Sequence, residues 1–225
     1  MVPRRLHSWD LSPKEAIRVQ RELSPRLVLS WDDRKVASVA GVDVSVKAGR
    51  ARAAIVVLRY PDLDPIEGAT AEADAVFPYV PGLLTFREGP VILAAWERLR
   101  SEPDLLLFDG QGIAHPRRMG LAAHVGLWLD RPSIGVAKSR LYGVHEPPSP
   151  DRGGTSDLYD EKNPERIIGS VLRTRSGVKP VFVSPGHRID IEHAIEFTFA
   201  CCTRYRLPET TRWAHRVAGG AQLLT

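Results

Sequence analysis

Residues 36–46 read Val-Ala-Ser-Val-Ala-Gly-Val-Asp-Val-Ser-Val, a stretch rich in β-branched side chains that predicts a β-strand. Residues 53–60 predict a second strand, which Pro61 ends, and a third strand is predicted within 66–77. Because no helical spacer separates these three segments, we expect them to form an antiparallel meander.

The pattern changes after this meander. It predicts a helix over 89–100, a buried strand over 104–109, a helix over about 119–129 and a strand over 133–138. Strands that alternate with helices favour parallel pairing through crossover connections. A meander followed by parallel strands is the order of a ribonuclease H-like sheet. We therefore predict an α/β fold in which such a mixed sheet is flanked by helices.

The remaining segments extend this sheet and its helices. A helix is predicted over 10–23, because Ser12 can cap it, Pro13 suits the first turn and Glu15 completes a capping box. Residues 145–165 are rich in Pro, Gly and acidic residues, which predicts a surface loop. Further strands are predicted at 167–174 and 180–184, and further helices at about 190–202 and 209–219.

The composition is that of a globular protein. Of the 225 residues, 43% are hydrophobic and 26% are charged, which excludes a disordered chain. No apolar run approaches the roughly 20 residues that span a bilayer, and the basic start lacks the apolar region of a secretory signal. Cys201 and Cys202 are adjacent and fit no metal-binding spacing. We therefore expect a cytoplasmic protein without a membrane partner.

The charge and the length lead to two further expectations. The net charge of +4 permits a polyanionic partner but does not demonstrate one. Because the length suits one domain and no repeat is present, we expect residues 1–225 to form a single domain. We also expect a monomer, although the length itself does not give the oligomeric state.

Three acidic side chains lie where the predicted fold would bring them together. Asp43 stands within an apolar strand, and a buried carboxylate is costly unless a cation or hydrogen bonds compensate it. Asp109 ends a predicted strand, where ligand sites gather, although an Asp before Gly110 also suits a plain turn. Glu88 lies where the chain enters a predicted helix, a position that the helix dipole favours by itself. Such carboxylates would together suit Mg²⁺ or Mn²⁺.

Two further features have both a functional and an ordinary structural interpretation. Lys138 ends a predicted strand, where its ammonium could contact a phosphate or orient a water, or could simply face solvent. In residues 78–84, Pro-Tyr-Val-Pro-Gly-Leu-Leu, two prolines stiffen the chain around Tyr79. A rigid aromatic side chain can wedge between bases, although a tyrosine packed under a Pro-rich turn is common.

Taken together, these segments resemble the endonuclease V family. Residues 78–82 look like the Pro-Tyr-Ile-Pro-Gly loop of that family. Further similar blocks, in the family's order, are Phe86-Arg87-Glu88-Gly89-Pro90, Asp109-Gly110-Gln111-Gly112, Ala114-His115-Pro116-Arg117, Gly135-Val136-Ala137-Lys138-Ser139 and Ser184-Pro185-Gly186-His187. The resemblance runs from about Trp9 to His215, matches the bacterial-type single-domain form, and weakens between about 145 and 165.

The resemblance implies a ribonuclease H-like fold and a Mg²⁺-dependent repair endonuclease, in which Mn²⁺ is expected to substitute. The family acts on DNA that contains deaminated bases, above all deoxyinosine, whose base is hypoxanthine. It cuts the second phosphodiester on the 3′ side of the lesion and leaves 3′-hydroxyl and 5′-phosphate ends.

The resemblance also implies a role for individual residues. The carboxylates expected to bind the metal are Asp43, Glu88 and Asp109. The further catalytic residues are expected to be Lys138 and His215. The wedge that fills the gap left by the displaced base is expected to be Tyr79, held by Pro78 and Pro81. The residues expected to line the base pocket are Gly82, Leu84, Gly112, His115 and Gly120.

Three other functions stay open at this point. Inosine in single-stranded RNA offers the same base edge, so an inosine-specific endoribonuclease is an alternative. A lesion-binding module that does not cut would lack a carboxylate, whereas all three are present. A hydrolase of small phosphate esters would show no turnover on oligonucleotides.

Overall fold

The chain forms eight strands and five α-helices over residues 3–222, the part that this computed structural model describes. The strands are β1 (Ser38–Lys47), β2 (Arg50–Arg59), β3 (Pro65–Asp74), β4 (Leu105–Phe108), β5 (Ser133–Ala137), β6 (Thr155–Tyr159), β7 (Ile167–Leu172) and β8 (Val181–His187). The helices are α1 (Pro13–Leu23), α2 (Leu84–Trp96), α3 (Leu121–Leu129), α4 (Ile191–Ala200) and α5 (Glu209–Ala218), and a 3₁₀ turn spans Ser24–Arg26.

All eight strands belong to one mixed sheet in the order β3-β2-β1-β4-β5-β8-β7-β6. The first three strands form an antiparallel meander, after which β4 pairs parallel with β1 and β5 pairs parallel with β4. β8 then runs antiparallel to β5 and is followed by β7 and β6. The predicted α/β fold with a ribonuclease H-like mixed sheet is confirmed.

Helices cover both faces of this sheet. On one face, α2 and α3 pack their side chains, such as Trp96 and Val125, against Ile55 and Leu106. On the other face, α5 packs Val217 against the β2 and β4 side chains that point the opposite way. The four residues of β4 are fully buried, as the continuous apolar run predicts for a central strand. No helix between residues 3 and 222 is both long and apolar enough to cross a membrane.

Helix α1 covers the loop that follows β3. It begins with the predicted capping box: the Glu15 carboxylate accepts the Ser12 N–H at 2.8 Å, and Ser12 Oγ accepts the Glu15 N–H at 3.4 Å. Its inner face buries Ala16 and Leu23, and the buried amide of Gln20 donates to the carbonyl of Gly82 at 2.9 Å. The cap therefore fixes a helix that supports the loop around Gly82.

Two local predictions were wrong. Helix α2 begins at Leu84 instead of 89, so Pro90 lies inside the helix and Glu88 lies in its second turn instead of at its entrance. Burial of Phe86 in the core stabilises the additional first turn of the helix. The predicted loop over 145–165 contains β6, which pairs with β7.

Candidate active site

The carboxylates of Asp43 and Asp109 lie at one edge of the sheet on neighbouring strands. Val42 of β1 is in register with Phe108 of β4, and the Asp109 N–H donates to the Val42 carbonyl at 3.1 Å. Parallel strands present their carboxyl ends at the same edge, so the residue after each of these positions projects into one site.

Helix α5 adds an imidazole to these carboxylates. His215 Nδ1 donates to Asp43 Oδ2 at 2.7 Å, and the His215 side chain is 67% exposed. The helix can approach β1 because position 41 is glycine: a Cβ on Gly41 would lie 1.9 Å from the Thr210 carbonyl oxygen. One ligand atom each from Asp43, Asp109 and His215 lies within 4.8 Å of the others. These three residues are called the acidic cluster below.

Lys138 follows β5 and completes the charged site, because its Nζ donates to the Asp109 carboxylate. Its backbone is held by Arg206, whose guanidinium donates to the Lys138 carbonyl at 2.6 Å and to the Pro180 carbonyl at 2.8 Å. Sequence analysis did not identify Arg206. Its only sequence signal is its place in a short segment between two helices, which does not indicate what it contacts.

Glu88 lies beside the acidic cluster but is not one of its three members. Burial, the largest cause, and the negative charges of Asp43 and Asp109 together raise the pKa of the Glu88 carboxyl to about 8. Burial likewise raises the pKa of Asp43, as does the charge of Asp109, whereas the hydrogen bond from His215 lowers it. The site thus holds more buried negative charge than its own cations relieve.

A divalent cation fits this donor set. The carboxylate oxygens of Asp43 and Asp109 are the hard ligands that suit Mg²⁺ or Mn²⁺. The raised pKa of Asp43 and Glu88 indicates that a nearby positive charge would stabilise the ionised carboxylates. The expected metal carboxylates Asp43 and Asp109 come together, with Glu88 near them.

A cavity of about 120 Å³ opens near the acidic cluster. It contains four of the expected base-pocket residues, Gly82, Leu84, His115 and Gly120, together with Tyr79 and Pro81. Its remaining lining residues are Val80, Thr85, Gln111, Met119, Leu121 and Leu141. Tyr79 stands at the rim and is 74% exposed, as a side chain that contacts a large ligand would be.

Two expected residues lie outside the lining of this cavity. Gly112 packs against β8 instead: its N–H donates to Ser184 Oγ at 2.8 Å, and an added Cβ would lie 2.0 Å from the Pro185 carbonyl oxygen. Pro78 lines a neighbouring groove. Sequence analysis did not identify Gln111 as a lining residue. Its place between Gly110 and Gly112, two residues after Asp109, was a signal that the sequence offered.

His115 supports the wall of the cavity. Burial, the largest cause, and the charge of Arg117 together lower the pKa of His115 to about 4, so the ring is neutral at pH 7. Its Nε2–H donates to the Gly82 carbonyl at 2.9 Å, and its Nδ1 accepts the Arg117 N–H at 3.1 Å. Both ring nitrogens are therefore used to hold the loop around Gly82.

A ribonuclease H-like sheet with carboxylates on neighbouring strand ends and a lysine beside them defines a nuclease of that fold class. Comparison with known proteins identifies the family. The Endonuclease V family model matches residues 21–216. The endonuclease V of Methanothrix thermoacetophila is 54% identical over 212 residues, covering 94% of this chain and 93% of that protein. This chain therefore belongs to the endonuclease V family, and it is an endonuclease.

Solved structures agree with this assignment. The crystal structure of the endonuclease V from Streptomyces avermitilis is 44% identical with a TM-score of 0.88, covering 94% of this chain and 93% of that one. Endonuclease V from Ciona intestinalis, crystallised with a 24mer DNA containing an inosine followed by a ribo-adenosine, is 29% identical with a TM-score of 0.79. That match covers 92% of this chain and 95% of the other.

Proposed function

We propose that this protein is a Mg²⁺-dependent DNA repair endonuclease that nicks the second phosphodiester 3′ to deoxyinosine and related deaminated bases. The products are a 3′-hydroxyl and a 5′-phosphate. The observation that carries the proposal is the acidic cluster beside a cavity lined by the Tyr79 loop. The Ciona intestinalis relative bound to inosine-containing DNA supports the choice of substrate.

A short stretch of chain fixes the distance between the acidic cluster and the cavity. Asp109 belongs to the acidic cluster and Gln111, two residues later, lines the cavity. Both ends of this segment are anchored, because the Asp109 N–H donates to the Val42 carbonyl at 3.1 Å and the Gln111 carbonyl accepts the Ala122 N–H at 3.0 Å. Because so short and anchored a segment joins the two sites, a base held in the cavity would place one particular phosphodiester at the cluster.

The residues of the acidic cluster and its neighbours have distinct roles in this proposal. Asp43 and Asp109 would hold Mg²⁺, with Glu88 as the nearby third carboxylate and Mn²⁺ as a substitute ion. When bound, the metal supplies Lewis-acid polarisation of the phosphate and lowers the pKa of a bound water. Lys138 would neutralise and orient Asp109, and His215 would orient Asp43 while its ring stays exposed to solvent.

The residues around the cavity would select the base. Hypoxanthine pairs poorly, so its extrusion from the stack costs less than that of a normal base. Tyr79, stiffened by Pro78 and Pro81, would occupy the gap that the extruded base leaves. The cavity is small, about 120 Å³, and the Gly82 loop forms part of its wall, which favours a single flat base.

The proposal is tested with an end-labelled duplex that carries one deoxyinosine, incubated with Mg²⁺ or with EDTA. We expect one nick, at the second phosphodiester 3′ to the lesion, in the presence of Mg²⁺ only. The same duplex with adenine in place of hypoxanthine is the matched control. A cut at another position, or equal cutting of both duplexes, would contradict the proposal.

Inosine-containing RNA is the second candidate substrate. It is favoured by one observation, the ribo-adenosine that follows the inosine in the nucleic acid bound by the Ciona intestinalis relative. Matched single-stranded DNA and RNA oligonucleotides, each with one inosine, would decide between the two by cleavage rate. The single monomeric domain over 1–225 and the cytoplasmic location stay predictions.

A further inference from the structure

Glu88 depends on its helix for its position. It is 9% exposed, and within residues 3–222 no group donates a hydrogen bond to its carboxylate. The two residues after it weaken the helix, because glycine is a poor helix former and Pro90 has no N–H to donate to the Phe86 carbonyl. The second turn of α2 therefore needs support from outside the helix if Glu88 is to stay beside the acidic cluster.

The chain that precedes α1 supplies a contact at this turn. Residues 4–10 are called the N-terminal strap below. A Cβ on Gly89 would lie 2.6 Å from Trp9 Cη2 and 2.9 Å from Trp9 Cζ3, so the outer ring of the indole lies against the α2 backbone. Such an approach requires glycine at this position. Trp9 thus contacts the residue that directly follows Glu88.

Helix α3 holds the Trp9 ring in this place. Trp9 stacks on Trp128 with ring centroids 4.9 Å apart and lies edge-on to Phe86 at 6.0 Å. The strap is tied to the same helix, because the Arg4 N–H donates to the Trp128 carbonyl at 2.8 Å. The Trp128 Nε1–H donates to His7 Nε2 at 3.2 Å. The indole of Trp9 is therefore a fixed spacer between α3 and α2.

We propose that Trp9 is a positioning residue for the nicking reaction: by filling the space between α3 and Gly89, it keeps Glu88 in place. Trp9 itself does not line the cavity and is not a member of the acidic cluster. Any shift of the second turn of α2 would carry the Glu88 carboxylate with it, because no hydrogen bond of its own holds that group. This inference rests on the proposed function, in which Glu88 is the third carboxylate near the metal.

The test inserts a methyl group where the indole lies. In Gly89→Ala the new Cβ would overlap the Trp9 ring, which Trp128 keeps from moving aside, so α2 must shift. Binding of Mn²⁺ without DNA is measured from the electron paramagnetic resonance signal of the free ion. We expect the Kd for Mn²⁺ to rise about 10-fold and kcat on the deoxyinosine duplex to fall about 10-fold, while KM stays within about threefold of wild type.

A compensating substitution supplies the rescue. Phenylalanine at position 9 lacks the outer ring atoms that the methyl group would meet, so Trp9→Phe/Gly89→Ala has room for it. We expect the double variant to return to within about threefold of wild type in both the Kd for Mn²⁺ and kcat. Trp96→Phe is the matched control, because it shortens a buried tryptophan at the far end of the same helix, and its Kd for Mn²⁺ should stay within about twofold of wild type.

A second comparison separates positioning from a general loss of structure. Added to Glu88→Gln, Gly89→Ala should change the Kd for Mn²⁺ by less than about twofold, because the carboxylate that α2 would displace is already gone. A 10-fold change in that background as well would show that Trp9 does not act through Glu88. Thermal unfolding in EDTA shows which variants fold, and Trp9→Ala, with the same expected rise in Kd, replaces Gly89→Ala if the latter does not.

The outcomes distinguish this inference from the function on which it rests. Wild-type protein that binds no Mn²⁺, or that does not nick the deoxyinosine duplex, would contradict the proposed function. Wild-type protein that does both, together with a Gly89→Ala variant that binds Mn²⁺ equally tightly, would overturn the role of Trp9 alone. That role is also overturned if the double variant is no better than Gly89→Ala, or if Trp96→Phe loses as much affinity.

Discussion

The acidic cluster and the cavity lie side by side, yet they are built in opposite ways. The cluster joins charged side chains from β1, the end of β4 and α5, and burial and mutual repulsion raise the pKa of Asp43. The cavity is formed mainly by two neighbouring loop regions and is largely apolar. Its central carbonyl, that of Gly82, accepts hydrogen bonds from Gln20, His115 and Arg117.

The two sites therefore differ in how much a bound ligand would stabilise them. The cavity wall is stabilised by the protein's own hydrogen bonds, so its shape exists before the base arrives. The cluster stores electrostatic repulsion that a bound cation would relieve. Substitutions in the cluster should therefore change chemistry and pH-dependent stability, whereas substitutions in the cavity wall should change substrate preference.

The largest expected effect is that of Asp109→Asn. We expect nicking of a deoxyinosine duplex to fall at least about 1,000-fold, because metal-assisted stabilisation of the transition state contributes several kcal/mol. Binding of the duplex, measured by gel shift, should stay within about threefold of wild type, since the cavity is intact. Asp157→Asn removes an exposed carboxylate on β6 and is the control. Nicking at the wild-type rate by Asp109→Asn would end the metal assignment.

The second prediction uses the raised pKa of Glu88. A carboxyl whose pKa is about 8 in the folded state and near 4.5 when unfolded stabilises the fold below pH 4.5 and loses that contribution as the pH rises through 8. Glu88→Gln, which stays neutral, should therefore be more stable than wild type by roughly 2–4 kcal/mol at pH 9 and show little of this difference at pH 4.5.

Urea unfolding in EDTA across this pH range measures the difference between the two proteins. Glu22→Gln, which changes an exposed carboxylate of α1, is the control and should follow wild type at every pH. Addition of Mg²⁺ at pH 8 should stabilise wild type more than Asp109→Asn. Equal stability of wild type and Glu88→Gln at pH 9 would show that Glu88 is not held in a repulsive environment.

The smallest expected effect distinguishes the role of Gly82 in the cavity wall from the general cost of placing alanine at a positive φ. Gly82 and Gly49 both have φ of +78°, but a Cβ on Gly82 would lie 2.8 Å from Arg117 Nη2, whereas a Cβ on Gly49 meets nothing within 4 Å. Replacement of either glycine by alanine should cost about 1 kcal/mol of stability. Only Gly82→Ala should also lower kcat/KM for the deoxyinosine duplex, by about fivefold. Equal kcat/KM values for the two variants would contradict the role given to the Gly82 loop.

The strands that could be predicted from the sequence are those whose residues form an apolar run typical of a buried strand. β1 and β4 could be identified because their apolar, β-branched or continuous runs match strands buried in a central sheet. β6 could not, since only Leu158 among its five residues is fully buried. The start of α2 was misplaced because Pro90 is tolerated inside the helix once Phe86 packs into the core.

The site was accessible to sequence analysis in part. The convergence of Asp43 and Asp109 follows from parallel pairing of two predicted strands. The place of His215 beside Asp43 depends on how closely α5 approaches Gly41, which only the packed structure decides. The orientation of the Gln111 amide depends in the same way on the Ser139 carbonyl, 28 residues further along the chain.

The hydrogen bond between His215 and Asp43 joins residues 172 positions apart, on the final helix and the first strand. A polypeptide that is still being synthesised cannot make this contact until the chain as far as His215 has left the ribosome. The acidic cluster is therefore incomplete until α5 has been synthesised, and a shorter chain carries Asp43 and Asp109 without His215.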